Sequence, residues 1–238
     1  MGGYAKDICV VGGAGHVGLP LALAFAAADR NVIIYDLDTA TMDVISNGTM
    51  PFVEHGAEPL LEQALREDRL TFTAEPQQIE QAEYVIVAIG TPVDEYLNPK
   101  LRALLDLFKG LRPYLSPSQT IIIRSTVFPG TCRHVERVLE EEEDQWKIAY
   151  CPERIAQGFA IRELSELPQI VSGTSSETVE SAARLFALLA PEIVRLEIEE
   201  AELAKLFSNA WRYVQFAASN QFYMLANTVG ADFNRIRD

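Results

Sequence analysis

Short apolar runs alternate with segments of helical periodicity along most of the 238-residue chain. The apolar runs have the length of β-strands, and several are apolar throughout, as expected for strands that are covered on both faces. The predicted strands are Asp7–Val11, Asn31–Tyr35, Leu70–Thr73, Tyr84–Ile89, Thr120–Arg124, Lys147–Tyr150, Gln169–Ser172 and Glu192–Leu196. This alternation predicts an α/β fold with a doubly wound, largely parallel sheet and helices on both faces.

The pattern changes near Glu197. From there to about Val229 neither Pro nor Gly interrupts the chain, and Ala, Leu, Glu and Phe recur at helical spacing. Gly230 follows as a C-cap. We therefore predict that residues 1–196 form the sheet domain. Residues 197–238 then contain a long helix that leaves this domain and begins a central helical domain or a subunit interface.

A glycine-rich turn follows the first predicted strand. Gly13, Gly15 and Gly18 stand in the order Gly-x-Gly-x-x-Gly, and a helical pattern comes next. We expect Gly13 to allow a sharp turn, Gly15 to leave room for a pyrophosphate, and Gly18 to let the helix pack close to the strand. The main-chain N–H groups near His16 and Val17 would then face the phosphates at the positive end of the helix dipole.

An acidic residue, Asp36, directly follows the second predicted strand, eighteen residues after Gly18. Strand, glycine turn, helix and acid at this spacing are typical of a Rossmann-type dinucleotide-binding unit. The Asp36 carboxylate can accept both ribose hydroxyls of an adenosine, and it would repel a 2′-phosphate. No Arg stands among the three residues that follow it. The sequence therefore predicts NAD, and not NADP, as the cofactor.

The composition limits the partners. The formal net charge is −14, so nothing in the chain attracts nucleic acid or an anionic membrane surface. The apolar stretch Ile8–Ala28 contains four glycines and Pro20, which argues against a membrane span or a signal peptide. We expect a cytoplasmic protein without a metal site, since Cys9, Cys132 and Cys151 are too few and too scattered for one.

Three loops follow predicted strands and therefore share the carboxyl edge of the sheet, where open α/β sheets bind ligands. They are Gly90-Thr91-Pro92, Ser125–Thr131 and Cys151–Gly158. Each alone could be ordinary turn chemistry, because Pro, Gly, Ser and Thr are common in turns. Together they place hydroxyl groups, a carboxylate and a guanidinium along one edge.

Three polar residues of the predicted long helix share one face. Lys205, Asn209 and Arg212 occupy positions i, i+4 and i+7. This face could be a polar stripe in water. It could also aim a cation and an amide at a substrate oxygen, as an oxyanion hole requires. The residues between them are mostly apolar, which favours a partly buried helix.

Five stretches in the same order resemble the UDP-glucose/GDP-mannose dehydrogenase family, and most of all its UDP-N-acetylmannosamine type. They are Gly13–Pro20, Gly90–Pro99, Ser125–Thr131, Tyr150–Arg154 and Glu200–Asn209. The resemblance covers essentially the whole chain. It implies NAD as the cofactor, a nucleotide sugar as the substrate, and a homodimer formed through the long helix.

The resemblance implies a four-electron oxidation, in which the C6 alcohol of a nucleotide sugar becomes a carboxylate and two NAD are reduced. A cysteine thiolate traps the aldehyde as a thiohemiacetal, and water later hydrolyses a thioester. By the same resemblance, Lys205 handles the proton and stabilises the oxyanion, while Asn209 helps to hold the reacting oxygen and the water. Thr126 and Glu153 line the same pocket, near the nicotinamide and the hydrolytic water.

The resemblance also implies a set of contacts. Those to the substrate come from Glu153, Arg154, Ile155, Lys205, Asn209 and Arg212. Those to the cofactor, together with the glycine-rich turn, come from Gly13, Gly15, His16, Val17, Gly18, Asp36, Gly90, Thr91, Pro92, Ser125 and Thr126.

The family's nucleophilic cysteine belongs to a glycine-rich segment downstream of the long helix, and this sequence ends at Asp238 before such a segment. We therefore expect a fragment that lacks the C-terminal UDP-sugar-binding domain and does not oxidise sugars by itself. Cys9 is expected inside the first strand and Cys132 at a helix start. Cys151 is the cysteine near the site loops.

Two other functions stay open at this point. A two-electron β-hydroxyacid dehydrogenase also joins a Rossmann unit to a long helix with Lys and Asn, and it needs no cysteine. A non-catalytic NAD-binding module would bind the cofactor without hydride transfer. The Ser125–Thr131 and Cys151–Gly158 loops match the sugar enzymes better. The identity of the sugar does not follow from the sequence.

Overall fold

The computed structural model describes residues 4–90, 101–140 and 145–237. Within these ranges, one sheet contains the strands β1 (Lys6–Val11), β2 (Val32–Tyr35), β3 (Leu70–Thr73), β4 (Ala82–Val87), β5 (Thr120–Ile123), β6 (Lys147–Tyr150), β7 (Gln169–Gly173) and β8 (Ile193–Arg195). Their order across the sheet is β3-β2-β1-β4-β5-β6-β7-β8.

The sheet is parallel from β3 to β6, and its direction reverses at β7. β7 pairs antiparallel with β6, in a register that places Tyr150 opposite Ser172, and β8 pairs parallel with β7. The predicted largely parallel sheet is therefore confirmed, with a reversal that the sequence pattern did not indicate. As a consequence, the first residue of β7, Gln169, lies at the carboxyl edge beside the end of β6.

Helices cover both faces of the sheet, as the doubly wound prediction requires. They are α1 (Gly18–Ala27), α2 (Thr39–Ser46), α3 (Ala57–Arg66), α4 (Leu101–Leu111), α5 (Thr131–Leu139), α6 (Ala160–Glu166), α7 (Ser176–Phe186) and the first turns of α8 (Ile198–Thr228). The short helix α9 (Phe233–Arg237) follows α8 and has no buried residue. Ile8 and Val10 of β1 share a core with α1, α2, α3, α6 and α7. Cys9 and Val11 share the opposite core with α4, α5 and the start of α8. Burial on both faces explains why the strands are apolar throughout.

The predicted strands agree with the observed ones to within about two residues, which is the usual accuracy of boundaries. β4 is displaced by two residues from its prediction, because Ala82 already pairs with Lys6 of β1 and the strand ends at Val87.

The apolar stretch Ile8–Ala28 folds as β1, the glycine turn and α1. α1 is apolar nearly all round because it lies buried between the sheet and the helices α3 and α6. In the part of the chain that the structure describes, no helix is long and apolar enough to cross a membrane.

α8 confirms the predicted long helix. Glu197 and Glu200 form a capping box at its N-terminus, and Gly230 adopts a φ of +69° just after its C-terminus. The first turns pack on the sheet domain, where Ile198 and Ala201 are buried. Further along, large apolar side chains are exposed, namely Phe207, Trp211, Tyr213, Val214, Phe216, Phe222, Tyr223, Met224 and Leu225. α8 therefore carries an apolar surface beyond the sheet domain.

Candidate functional site

The glycine-rich turn joins β1 to α1 at the carboxyl edge. Gly12 has a φ of +80°, the left-handed region that favours glycine, so it makes the sharp turn that we expected at Gly13. Gly13 is required for another reason, since a Cβ atom there would lie 2.8 Å from the carbonyl oxygen of Val10. A Cβ at Gly18 would collide with the carbonyl oxygen of Gly12, which confirms the close packing of the helix start. Gly15 is exposed, and a Cβ atom there would lie 3.4 Å from the carbonyl oxygen of Gly12.

Asp36 lies at the rim of this turn. Its Oδ2 accepts a hydrogen bond from the main-chain N–H of Ala14 at 3.0 Å, and its Oδ1 accepts one from Asp38 at 3.1 Å. Both contacts fix the Asp36 carboxylate next to the main chain of the glycine-rich turn. An acid held in this way can accept ribose hydroxyls, so the residues present fit an adenine dinucleotide.

The two residues between Gly15 and Gly18 differ in exposure. His16 is exposed, and its ring stacks on Phe52 with 4.0 Å between the centroids. Val17 is partly buried and packs against the core. Their main-chain groups lie directly before α1, at the positive end of its dipole.

The loops after β4 and β5 are tied together. The hydroxyl of Ser125 is buried and donates to the carbonyl oxygen of Ile89 at 2.7 Å. Thr126 follows and is partly buried. Of the predicted contacts after β4, Gly90 belongs to the described residues, whereas Thr91 and Pro92 lie outside them.

A buried guanidinium joins three elements at the same edge. Arg124, directly after β5, is 1% exposed, and its Nη2 lies 2.8 Å from Oε2 of Glu153. Its Nη1 donates to Oε1 of Gln169 at 3.0 Å and to the carbonyl oxygen of Cys151 at 3.3 Å. The guanidinium carbon lies 5.2 Å from the ring centroid of Phe186. These acceptors offset part of the lost hydration, while the buried Nε of Arg124 has no hydrogen-bond partner among the described residues. The reversal of β7 brings Gln169 to this place.

Lys205 reaches the same cluster from α8. It is buried, and its Nζ donates to the main-chain oxygen of Glu153. Burial lowers the pKa of Lys205 below its usual range. The carboxylate of Glu153 acts in the opposite direction, and three guanidinium groups lower the pKa of Lys205 further, those of Arg124, Arg212 and Arg154. A lysine in this environment can exchange its proton closer to neutral pH.

The other predicted substrate residues of this region lie around Lys205. Nη2 of Arg212 is 3.4 Å from the carbonyl oxygen of Arg154, and Nη1 of Arg154 donates to the carbonyl oxygen of Pro168 at 3.3 Å. Asn209, one helical turn after Lys205, is exposed. The structure thus brings both arginines to the Lys205 end of the site and leaves the Asn209 amide at its open side.

Ile155 was predicted to present a main-chain donor to the substrate. Its N–H instead donates to the carboxylate of Glu153, so this amide already has an acceptor within the chain. The side chain of Ile155 packs against the core. In this structure the residue shapes the loop that carries Glu153.

Two buried carboxylates were missed in the sequence analysis. Glu202 of α8 accepts hydrogen bonds from the main-chain N–H groups of Gly130 at 2.6 Å and Cys132 at 2.9 Å. Glu54, before α3, accepts one from the N–H of Gly158 at 3.0 Å. Both acids fix loops at the site. The sequence shows that both acids stand next to apolar residues. Sequence spacing does not show which main-chain N–H group each acid accepts a hydrogen bond from.

The three cysteines are fully buried. Cys9 lies in β1 and Cys132 in the first turn of α5, as expected. Burial raises the pKa of all three thiols, that of Cys151 to about 12. A nucleophilic cysteine needs a lowered thiol pKa and access to its substrate. None of these three thiols has that environment, which argues against a chemical role for Cys151.

A sequence profile of the UDP-glucose/GDP-mannose dehydrogenase family, NAD binding domain, matches residues 6–190. The chain is 30% identical over 236 residues to UDP-N-acetyl-D-mannosamine dehydrogenase of Campylobacter jejuni, covering 93% of this chain and 57% of the relative. It is 29% identical over 240 residues to NDP-N-acetyl-D-galactosaminuronic acid dehydrogenase of Ralstonia nicotianae, covering 95% and 56%. The chain thus spans about half the length of the curated relatives it matches.

The fold is shared with solved structures. That of a GDP-mannose dehydrogenase from Pseudomonas aeruginosa matches with a TM-score of 0.88 and 24% sequence identity, over 98% of this chain and 56% of that chain. At this level of identity the match establishes the fold.

Proposed function

The chain belongs to the UDP-glucose/GDP-mannose dehydrogenase family and carries its NAD-binding domain, and on this premise we propose that it is the cofactor-binding part of a nucleotide-sugar 6-dehydrogenase. Such an enzyme oxidises the C6 alcohol of a UDP-sugar to a carboxylate. Residues 1–196 would bind NAD, and residues 197–238 would begin the central helical domain. One observation carries the proposal: α8 brings Lys205 to Glu153, at the sheet edge that also holds the glycine turn and Asp36.

The glycine turn and Asp36 would hold NAD. The main-chain N–H groups around His16 and Val17 would meet the pyrophosphate at the start of α1, and the exposed position of Gly15 leaves room for it. Asp36 would accept the ribose hydroxyls of the adenosine half and disfavour the 2′-phosphate of NADP. When bound, NAD supplies the hydride acceptor.

The nicotinamide half would lie against the loops after β4 and β5. Ser125 holds these loops together through its bond to Ile89. Gly90 and Thr126 would then line the cofactor.

Lys205 and Asn209 would act on the reacting alcohol. Because burial lowers the pKa of Lys205, its amine can take the alcohol proton, and the resulting ammonium can stabilise an oxyanion. Asn209, one turn further along α8, would donate its amide to the same oxygen. Glu153 would hold the hydrolytic water, and Thr126 would close the pocket.

Arg154 and Arg212 would bind the substrate, and Ile155 would shape the loop that carries Glu153. A nucleotide diphosphate is anionic, and the chain has a net charge of −14, so local cations are required to hold it. Arg154 and Arg212 lie together beside Lys205 and offer this charge.

The described cysteines would not supply the nucleophile of such a reaction. Burial raises the pKa of Cys9, Cys132 and Cys151. We therefore propose that the 238-residue chain binds NAD and does not by itself convert a UDP-sugar to its acid.

A homodimer through α8 and a cytoplasmic location complete the proposal. The exposed apolar side chains of α8 between Phe207 and Leu225 form a surface of the kind that associates with another protein surface. The stretch Ile8–Ala28 folds as β1, the glycine turn and α1, within the core of the sheet domain.

The test follows NADH formation by the protein expressed from its complete reading frame, with UDP-sugars and with small β-hydroxyacids. Two NADH per UDP-sugar would support the proposal. One NADH per β-hydroxyacid would favour a two-electron β-hydroxyacid dehydrogenase, and NAD binding without turnover would favour a non-catalytic module. Lys205→Ala should lower kcat by about 100-fold or more. Lys147→Ala, a surface lysine paired with Glu177, is the matched control and should leave kcat unchanged.

A further inference from the structure

Arg124 is a buried cation whose role the proposed chemistry does not explain. Its guanidinium is enclosed by Glu153, Gln169, the Cys151 carbonyl group and the ring of Phe186. A buried ion pair contributes little net stability, because the desolvation of both charges offsets their attraction. The pair with Glu153 therefore points to a role other than stability.

Glu153 contacts two cations, each through a different group of its own. Its carboxylate pairs with Arg124, whereas its main-chain oxygen accepts the hydrogen bond from Lys205. Opposite charges attract strongly when they are shielded from water. Once released from Arg124, the Glu153 carboxylate would be held by the main-chain N–H of Ile155 alone, so its other oxygen would turn to the Lys205 ammonium and hold the proton there.

The planar guanidinium group of Arg124, whose nitrogen atoms form a fork, is held in one orientation by its acceptors. It contacts the Glu153 carboxylate, the Gln169 side chain and a main-chain oxygen together, and Gln169 donates to the carbonyl oxygens of Pro152 at 3.2 Å and Ile170 at 2.8 Å. A lysine could not reach several acceptors with this planar geometry. The orientation of the Glu153 carboxylate thus depends on the fork as well as on the charge.

We propose that Arg124 is a positioning residue that holds the Glu153 carboxylate away from Lys205, so that the acid and the lysine keep separate roles. The chemical roles of the acid and the lysine rest on the proposed function, whereas the position of the Glu153 carboxylate relative to Lys205 does not. The charged groups that act on Lys205 are Glu153, Arg124, Arg154 and Arg212. Replacing Arg124 by a neutral residue removes a cation that repels the Lys205 ammonium. It also frees the Glu153 carboxylate, which attracts that ammonium. Both effects favour the protonated form of Lys205.

Competitive acylation with a trace of acetic anhydride, between about pH 6 and about pH 10, measures the reactivity of Lys205 in the 238-residue chain. The chain has five lysines, which mass spectrometry of peptides separates. Arg124→Met should slow the acylation of Lys205 at about pH 8 by about tenfold. Arg124→Lys, which keeps the positive charge and loses the planar fork, should slow it by a smaller factor. Arg195→Gln is the control, since this exposed arginine pairs with Glu180 away from the site.

A double variant identifies the cause. Adding Glu153→Gln to Arg124→Met should restore the acylation of Lys205, because the captured carboxylate is then gone. If Arg124 were merely structural, its loss would loosen the site and speed up acylation, which is the opposite result. Unchanged acylation in both Arg124 variants, or no restoration in the double variant, would overturn the proposal.

Two further controls allow the acylation result to be interpreted. If circular dichroism shows that Arg124→Met does not fold, Arg124→Lys with and without Glu153→Gln gives the same comparison. The acylation is measured without NAD or sugar. A failure of the wild-type chain to bind NAD would therefore contradict the proposed function and leave the Arg124 result standing.

Discussion

The carboxylate of Glu202 accepts a hydrogen bond from the main-chain N–H of Cys132 at 2.9 Å, and so connects α8 to the first turn of α5. Its other oxygen accepts one from Gly130 at 2.6 Å. A fully buried acid thus satisfies free amides at a helix N-terminus, where the dipole favours negative charge. Because Lys205 follows Glu202 by three residues, this contact sets the position at which α8 presents Lys205.

Glu202→Gln should lower the free energy of unfolding by about 2–3 kcal/mol, because a buried charge-assisted contact is lost and the new NH₂ group faces amide donors. Urea denaturation measures the change. Glu199→Gln is the control, since this exposed acid of the same helix pairs with Arg133 at the surface, and it should change the free energy of unfolding by about 0.5 kcal/mol or less. Equal effects of the two substitutions would contradict this role of Glu202.

Gly18→Ala should destabilise the fold and weaken NAD binding, because its methyl group would collide with the carbonyl oxygen of Gly12. Overpacking of this kind costs about 1–3 kcal/mol. Gly110→Ala is the matched control, since a Cβ there meets nothing within 4 Å and the residue lies in α4. It should raise the free energy of unfolding by about 0.5–1 kcal/mol. If Gly18→Ala is as stable as Gly110→Ala, the close packing of the turn is refuted.

The three cysteines should resist alkylation in the folded chain. Burial keeps the thiols protonated and inaccessible, with the pKa of Cys151 raised to about 12. Iodoacetamide at about pH 8 should modify Cys9, Cys132 and Cys151 at least 100-fold more slowly than in the chain unfolded by guanidinium chloride, about the factor that burial is expected to give. Mass spectrometry counts the modified residues. Fast modification of Cys151 in the native chain would show an activated thiol and contradict this assignment.

The lowered pKa of Lys205 has a defined effect on stability. Between that lowered pKa and the ordinary value near 10.5, the unfolded chain binds more protons than the folded chain. The contribution of Lys205 to stability therefore rises with pH through this window, and at lower pH the buried ammonium is destabilising. Lys205→Met should be more stable than the wild type at about pH 6, and this advantage should shrink towards about pH 10. Urea denaturation of both chains across this range is the measurement, and a pH-independent difference would refute the shift.

The features that the sequence predicted correctly depend on local pattern. Asp36 stands at a strand end, Gly18 stands at a helix start, and α8 follows from a long run without Pro or Gly. The sharp turn was expected at Gly13, whereas the positive φ of Gly12 places it one residue earlier. Local pattern therefore gives the elements and most of the glycine-rich turn.

The missed residues depend on contacts between distant parts of the chain. Arg124 meets acceptors 27 and 45 positions away, and Glu202 meets amides more than 60 positions away. The contact with Gln169 also requires the reversal of β7, since a parallel strand would place its first residue at the other edge of the sheet. No periodicity or motif in the sequence indicates that β7 is reversed. The contacts of Arg124 and Glu202 could therefore be found only in the folded chain.

Isothermal titration calorimetry of the 238-residue chain shows whether the glycine turn and Asp36 bind NAD. NAD should bind, NADP should bind more weakly, and Asp36→Ala should weaken NAD by about 10- to 100-fold, the range expected for hydrogen bonds to a charged group. Asp38→Ala, which removes the cap of α2, should leave NAD affinity nearly unchanged. A folded chain that shows no binding of NAD, or that binds it equally well after Asp36→Ala, would contradict the account.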